Sequence, residues 1–255
     1  MGVFSRMKDK NKTYPFGFAD VSREEKDDLV KRVFSGVAGR YDLMNDLMSW
    51  GVHRLWKNFM VSQITPHKAM SVLDMAGGTG DIAFRIAEKF PQASITLCDI
   101  NPEMLEVGKK RASHLKYRKQ ISWVTGSASN LPFKDNAYEV YTISFGLRNV
   151  TDIPAALNEA YRVLKPGGQF LCLEFSQVKL PLLREMYATY SFEVIPQIGK
   201  IIAKNKEAYK YLVESIARFP NQQKLENLLK EAHFKHITHI NLAGGIAALH
   251  MGWKI

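Results

Sequence analysis

The chain has 255 residues, enough for one domain with a sizeable buried core. Hydrophobic residues at 46% and charged residues at 24% suit a globular protein, and no apolar run approaches the roughly 18 residues that a spanning helix needs. Lys and Arg number 35 against 25 Asp and Glu, a formal charge of +10 that favours anionic partners.

The basic residues are dispersed in short groups, at 8–12, 109–111, 116–119 and 200–206, and no nucleic-acid-binding arm or module is visible. A solvated face or an anionic lipid surface is therefore expected, and no nucleic acid. Cys98 and Cys172 lie in apolar strand-like runs without metal-ligand spacing. Buried reduced thiols and no metal site are the expectation.

In chain order, residues 1–20 are polar and broken by Gly and Pro, so they read as loose at the start. They lack the apolar stretch of a signal peptide, and Arg6 breaks the myristoylation pattern that starts at Gly2. Ser22-Arg23-Glu24-Glu25 resembles a capping box and opens a helix with Leu29, Val30, Val33 and Phe34 on its apolar face. A second helix is predicted over 43–64, stopped by Pro66.

From there strands and helices alternate. Strands are predicted at 71–75, 94–100, 121–125, 138–145 and 169–175, with helices at 81–90, 102–115 and 153–164 between them. Strands apolar on both faces, joined by helical crossovers, mean a parallel, doubly wound α/β sheet. Residues 161–168, ending in Lys165-Pro166-Gly167-Gly168, read as a helix stop and a turn into the fifth strand. Residues 178–218 interrupt the alternation as a helical insert. A helix at 222–231 and two strands at 236–242 and 246–253, turning at Ala243-Gly244-Gly245, end the chain as an antiparallel hairpin.

The sharpest local signal is Val72-Leu73-Asp74-Met75-Ala76-Gly77-Gly78-Thr79-Gly80-Asp81, a strand running through a glycine turn into a helix. Such glycines permit positive φ and let a ligand approach the backbone at a helix N-terminus. No third glycine follows at dinucleotide spacing, and the run resembles instead the Asp-x-Gly-x-Gly-x-Gly loop of Rossmann-like methyltransferases, with Ala76 in the first glycine position. Asp99 ends the next strand, in Leu97-Cys98-Asp99-Ile100-Asn101, where a carboxylate accepts both hydroxyls of a ribose; helix capping is the bland alternative. Gly126-Ser127-Ala128-Ser129 and Ser144-Phe145-Gly146-Leu147-Arg148-Asn149 follow the third and fourth strands, so all four segments meet at carboxyl ends of neighbouring strands.

Longer strings carry a more specific resemblance. Residues 34–49, including Arg40-Tyr41-Asp42-Leu43-Met44-Asn45, and residues 51–57, 143–152, 162–176, 190–196, 211–216 and 244–250 are similar to the ubiquinone/menaquinone C-methyltransferase family. The likeness spans about residues 14 to 255. It implies a class I, Rossmann-like methyltransferase fold with a seven-stranded, mostly parallel sheet, helices on both faces and an antiparallel C-terminal hairpin. The expected parts are a helical lid (1–66), a cofactor core (67–177), a helical insert at the substrate entrance (178–219) and a C-terminal helix with hairpin (220–255).

The cofactor implied is S-adenosylmethionine, with Asp74, Gly77, Gly78, Thr79, Gly80, Asp99, Ile100, Met104, Ser127, Ala128 and Ser144 as its expected contacts. The acceptor implied is a ring carbon of a polyprenylated benzoquinol or of demethylmenaquinol. C-methylation needs an electron-rich, phenolate-like ring held in line with the methyl group. Arg148 is the first candidate to stabilise that charge, with a structural ion pair as its alternative, and Asn149 is the candidate to orient the ring. Tyr41 and Asp42 are candidates for a lid over the site, and His53 and His250 read as structural.

The greasy residues of the insert, such as Leu182, Met186 and Tyr190, are the expected entrance for the prenyl tail, with Lys200–Lys210 against anionic lipid. The expected setting is a bacterial cytoplasm, peripheral to the inner membrane, or the mitochondrial matrix face in a eukaryote. Other quinone-biosynthesis enzymes and a second copy of the chain are expected partners. Two rivals stay open: a non-catalytic cofactor-binding scaffold, and a methyltransferase for another small acceptor.

Overall fold

The computed structural model describes residues 13–35, 46, 49–66, 70–178, 190 and 206–255. Tyr41, Asp42 and most of the insert lie outside the described residues. The described chain begins with an antiparallel hairpin, β1 (Tyr14–Phe16) and β2 (Ala19–Val21). The looseness expected at the start of residues 1–20 falls on residues outside those described. Tyr14 is buried, and Phe16 stacks on Tyr211 with ring centroids 4.4 Å apart. This apolar anchoring comes from a partner nearly two hundred residues away, which no local pattern announces. Gly17 turns the hairpin at φ +57°, and the Glu214 carboxylate packs where a side chain on it would stand.

Helix α1 (Arg23–Ser35) starts as its capping residues predict: the Glu25 N–H donates to Ser22 Oγ at 3.2 Å. Helix α2 (His53–Ser62) follows. Then come β3 (Ser71–Met75), α3 (Asp81–Lys89), β4 (Ser94–Asp99), α4 (Pro102–Ala112), β5 (Ile121–Thr125), β6 (Tyr138–Ser144), α5 (Ile153–Val163) and β7 (Leu164–Phe175). Helices α6 (Lys206–Arg218) and α7 (Gln222–Glu231) lead to β8 (Lys235–Leu242) and β9 (Ala247–Trp253).

The seven-stranded sheet has the order β5-β4-β3-β6-β7-β9-β8. Its pairs are parallel from β5 to β7, and β9 runs antiparallel to both β7 and β8. Alternate residues on the central strands feed two separate cores. Val72 and Leu171 join Trp56, Met60, Ile82, Ile86 and Leu105 from α2, α3 and α4 on one face. Leu73, Phe170 and Cys172 join Leu157, Ala160, Leu225 and Leu229 from α5 and α7 on the other. Helices therefore cover both faces.

Strand β7 begins earlier than its sequence suggests. Tyr138 pairs with Leu164 and Val140 with Gln169, so residues 165–168 bulge out of the ladder. The C-terminal segment holds the bulge: Gly167 N–H donates to Lys254 O at 2.7 Å, and Lys254 N–H donates to Gly168 O at 3.0 Å. The order of the central strands reverses at β3, where β4 lies on one side and β6 on the other. Open α/β sheets form their binding crevice at such a point.

Candidate active site

Beyond the carboxyl ends of β3, β4, β5 and β6 lies a cleft enclosing about 1130 Å³, its mouth included. The loop after β3 shapes its floor. Ala76, Gly78 and Gly80 all have positive φ (52°, 53° and 94°), so the chain folds back on itself twice before α3 begins. A side chain on Gly77 would strike Leu97 and the Asp74 carboxylate, and one on Gly80 would strike the Phe84 ring at 2.7 Å. Ala76 replaces the usual glycine because space is made opposite it. Its methyl sits where a Cβ on Gly146 would lie, 2.5 Å away.

Every expected cofactor contact except Gly80 lines the cleft: Asp74, Gly77, Gly78, Thr79, Asp99, Ile100, Met104, Ser127, Ala128 and Ser144. Gly80 instead closes the turn, its N–H donating to Gly77 O at 2.9 Å. Asp99 is held by two backbone donors: Gly78 N–H to Oδ2 at 2.9 Å and Asn101 N–H to Oδ1 at 2.8 Å. Burial pushes its carboxyl up to about 6, against the pull of those N–H groups. Each oxygen keeps a lone pair for a ligand hydroxyl.

Asp74 accepts the Thr142 hydroxyl on Oδ1 at 2.8 Å, and burial pushes its carboxyl up to about 7. Asp74 Oδ2 and Ser144 Oγ are buried in the cleft wall with no hydrogen bond of good geometry among the described residues. Buried polar atoms left this way cost stability until a ligand meets them. A ligand with a cationic group and ribose hydroxyls fits this wall.

Helix α1 bars the cleft from above, a role its amphipathic pattern alone did not reveal. At one end Arg23 pairs with Asp152 at 2.8 Å, Asp27 bonds the Thr151 hydroxyl, and Lys26 Nζ donates to Val150 O at 3.1 Å. At the other, Asn101 Nδ2 donates to Ser35 Oγ at 3.1 Å. Arg23, Asp27, Val30, Lys31 and Phe34 join the lining, and so do Lys57 and Asp81.

The two candidates from the loop after β6 part company. Phe145 adopts φ +53° and turns the chain, and a single 3-10 turn spans Leu147–Asn149. Asn149 lines the cleft, and its Oδ1 accepts the Tyr211 hydroxyl at 3.1 Å. Arg148 does not line the cleft; it is buried and borders a second cavity. Its Nη1 pairs with Glu174 Oε2 at 2.9 Å and donates to Phe145 O at 2.6 Å, and its backbone N–H donates to Glu174 Oε1 at 3.2 Å. The pair is fully buried, and burial raises the Glu174 carboxyl. The ion-pair alternative for Arg148 is the arrangement found here. His53 and His250 are both buried, beside Ser49 and Gln222, and neither lines the cleft.

The family profile described as "ubiE/COQ5 methyltransferase family" matches residues 20–254. The chain belongs to that family. Relatives include a ubiquinone/menaquinone biosynthesis C-methyltransferase of Paracoccus denitrificans, 51% identical over 97% of this chain and 99% of its own. A mitochondrial 2-methoxy-6-polyprenyl-1,4-benzoquinol methylase of rice is 50% identical over 94% of this chain and 88% of its own. Among solved structures, a methyltransferase of Thermotoga maritima described as a possible histamine N-methyltransferase superposes with a TM-score of 0.63. At 20% identity, covering 89% of this chain and all of the other, it shares the fold. The chain is an S-adenosylmethionine-dependent C-methyltransferase of quinone biosynthesis.

Proposed function

We propose that this methyltransferase acts on a reduced, polyprenylated quinone precursor, benzoquinol or demethylmenaquinol, presenting the ring at the β6 end of the cofactor cleft beside Asn149. The enzyme serves quinone biosynthesis, as its relatives at about half identity do. The observation that carries the reading is the pinned amide of Asn149. Tyr211 O–H donates to Oδ1, which leaves the NH2 group of this cleft-lining residue as a donor for an anionic ring oxygen.

S-adenosylmethionine, when bound, supplies an electrophilic methyl group. Asp99 would hold its ribose, Asp74 and Ser144 its polar groups at the loop, and Met104 and Ala128 its apolar surface. The chain's own residues contribute orientation and charge. Asn149 steadies the developing phenolate, and α1 with Phe34 and Val30 excludes water over the ring. Arg148 acts as a positioning residue: by gripping Phe145 O and Glu174 it sets the turn from which Asn149 projects.

For the tail and the membrane the reading rests on two side chains. Trp50 and Leu55 are large, apolar and 78% and 65% exposed, with exposed Arg54 between them. Tyr190, from the insert, meets Trp50 edge-on at 5.5 Å. No helix among the described residues is long and apolar enough to cross a membrane, so lipid contact would be peripheral.

The test is methyl transfer from labelled S-adenosylmethionine to a panel of reduced demethyl-benzoquinols and demethylmenaquinols with short prenyl tails. Ring-methylated product from either class supports the reading and assigns the pathway. Cofactor binding without methylation of any quinol would favour the scaffold or another acceptor.

A further inference from the structure

We propose that Lys57 is the clamp for the carboxylate of the cofactor's amino-acid portion. Neither the glycine loop nor the ribose-binding Asp99 accounts for a cation in this cleft, yet one is built into its wall. Lys57 lines the cleft and is 4% exposed. It projects from α2, which is set in the core by Trp56 packed edge-on against Phe175. Its Nζ donates to Asp81 Oδ2 at 2.8 Å and stands 5.9 Å from the centre of the Phe145 ring.

Position decides which end of the cofactor Lys57 meets. Asp99 at the end of β4 marks the ribose, and Ser127 to Ser129 after β5 lie beyond it. The amino-acid portion must then run the other way, over the glycine loop toward β6. Lys57 stands at that end, touching the first residue of α3 and the residue after β6.

Charge points the same way. Asp81 is already matched by Arg85, whose Nε donates to Asp81 Oδ1 at 3.0 Å. Asp81 is shared between buried Lys57 and part-exposed Arg85, so it matches Lys57 only in part, beside a cleft whose other buried charged walls are Asp74 and Asp99. A buried cation matched only in part favours a further anion. A ligand bearing sulfonium, ammonium and carboxylate satisfies all three: the cations face the aspartates and the carboxylate faces Lys57. Asp81 keeps the ammonium extended into the cleft while it waits.

The test compares binding of S-adenosylhomocysteine with its decarboxylated counterpart, which keeps the adenosine, sulfur and amine, to wild type and Lys57→Met by calorimetry. Wild type should prefer the carboxylate-bearing ligand by about tenfold or more, as a charge-assisted contact requires, and Lys57→Met should abolish most of that preference while binding the decarboxylated ligand as wild type does. Equal loss for both ligands would make Lys57 merely structural and overturn the proposal. A preference undiminished in the variant would overturn it too. Should Lys57→Met fail to fold, wild type alone still decides: equal affinity for the two ligands refutes a carboxylate clamp, and Lys57→Arg retaining the preference supports it. If wild type bound neither ligand, the fault would lie with the cofactor assignment and not with Lys57.

Discussion

Asp74 and Asp99 face one cleft with carboxyls raised by burial to about 7 and about 6. A cofactor carrying positive charge favours their ionised forms, so binding must release protons near neutrality. Affinity for S-adenosylmethionine, which carries the sulfonium charge, is expected to rise with pH between about 6 and 7.5 and then level off, by at most about tenfold per unit for each proton released. Calorimetry in two buffers of different ionisation enthalpy reads the proton release directly; binding with no proton exchange at pH 6.5 would contradict it. Tyr211 tests the neighbouring amide. Tyr211→Phe frees Asn149 Oδ1 to rotate, and it should lower kcat about tenfold, the scale of one neutral hydrogen bond, while leaving cofactor affinity unchanged. Loss of cofactor affinity in that variant would place Asn149 in binding, not in presentation of the ring.

At the scale of elements, two loops are interlocked by space, and a loop and a strand by charge. The turn after β3 meets the turn after β6 at Ala76 and Gly146. Gly146→Ala should cost about 1–3 kcal/mol in denaturant unfolding, the usual penalty of overpacking, and Ala76→Gly added to it should restore most of the loss. A double variant no more stable than the single one would show that the two loops yield independently. Between the turn after β6 and β7, Arg148 and Glu174 form a buried pair. Arg148→Met strands the Glu174 charge and should destabilise by about 3–5 kcal/mol, whereas Arg148→Met with Glu174→Leu should recover stability. If Arg148 works by positioning Asn149, the stable double variant stays slow in methyl transfer with its cofactor affinity intact. Recovery of full activity along with stability would remove the positioning role.

For the whole molecule the same buried groups shape stability against pH. Asp74 and Asp99 have folded pKa values above the unfolded value of 3.8, so the folded chain holds more protons and stability falls as pH rises from about 4 toward 7. His250, held down to about 4 by burial, does the opposite between about 4 and 6.5, where only the unfolded chain binds its proton. Above 6.5 the falling contribution of Asp74 is left. Saturating S-adenosylmethionine removes that penalty, because its positive charge favours the ionised site. Its stabilisation of the midpoint of thermal unfolding should therefore be larger at pH 8 than at pH 6. A gain in Tm that is the same at both pH values would show that neither carboxyl titrates on binding.

Much of this architecture was legible before folding because it depends on neighbours in sequence. Alternating apolar positions in β3, β6 and β7 meet a core on each face, and Asn101, Asp152 and Asn221 cap α4, α5 and α7 through their own next turns. The glycine loop and Asp99 could be read together because adjacent parallel strands bring their carboxyl ends side by side whatever the rest of the chain does. Other features have no local cause. The β1–β2 hairpin exists because Tyr211 offers Phe16 a ring to stack on, and α1 became the bar over the cleft through contacts with Asn101 and residues 150–152. Arg148 and Asn149 are consecutive in sequence, yet a 3-10 turn sends one into a buried ion pair and the other into the cleft. Lys57 reaches the cleft at the strand ends from a helix that lies outside the glycine loop and the strand alternation. The sequence determined the fold's frame and the meeting of the glycine loop with Asp99 at the strand ends, since those follow from backbone periodicity and parallel pairing. Tertiary packing alone decided which charged side chains were buried, and against which partners, because burial and pairing are properties of residues far apart in the chain.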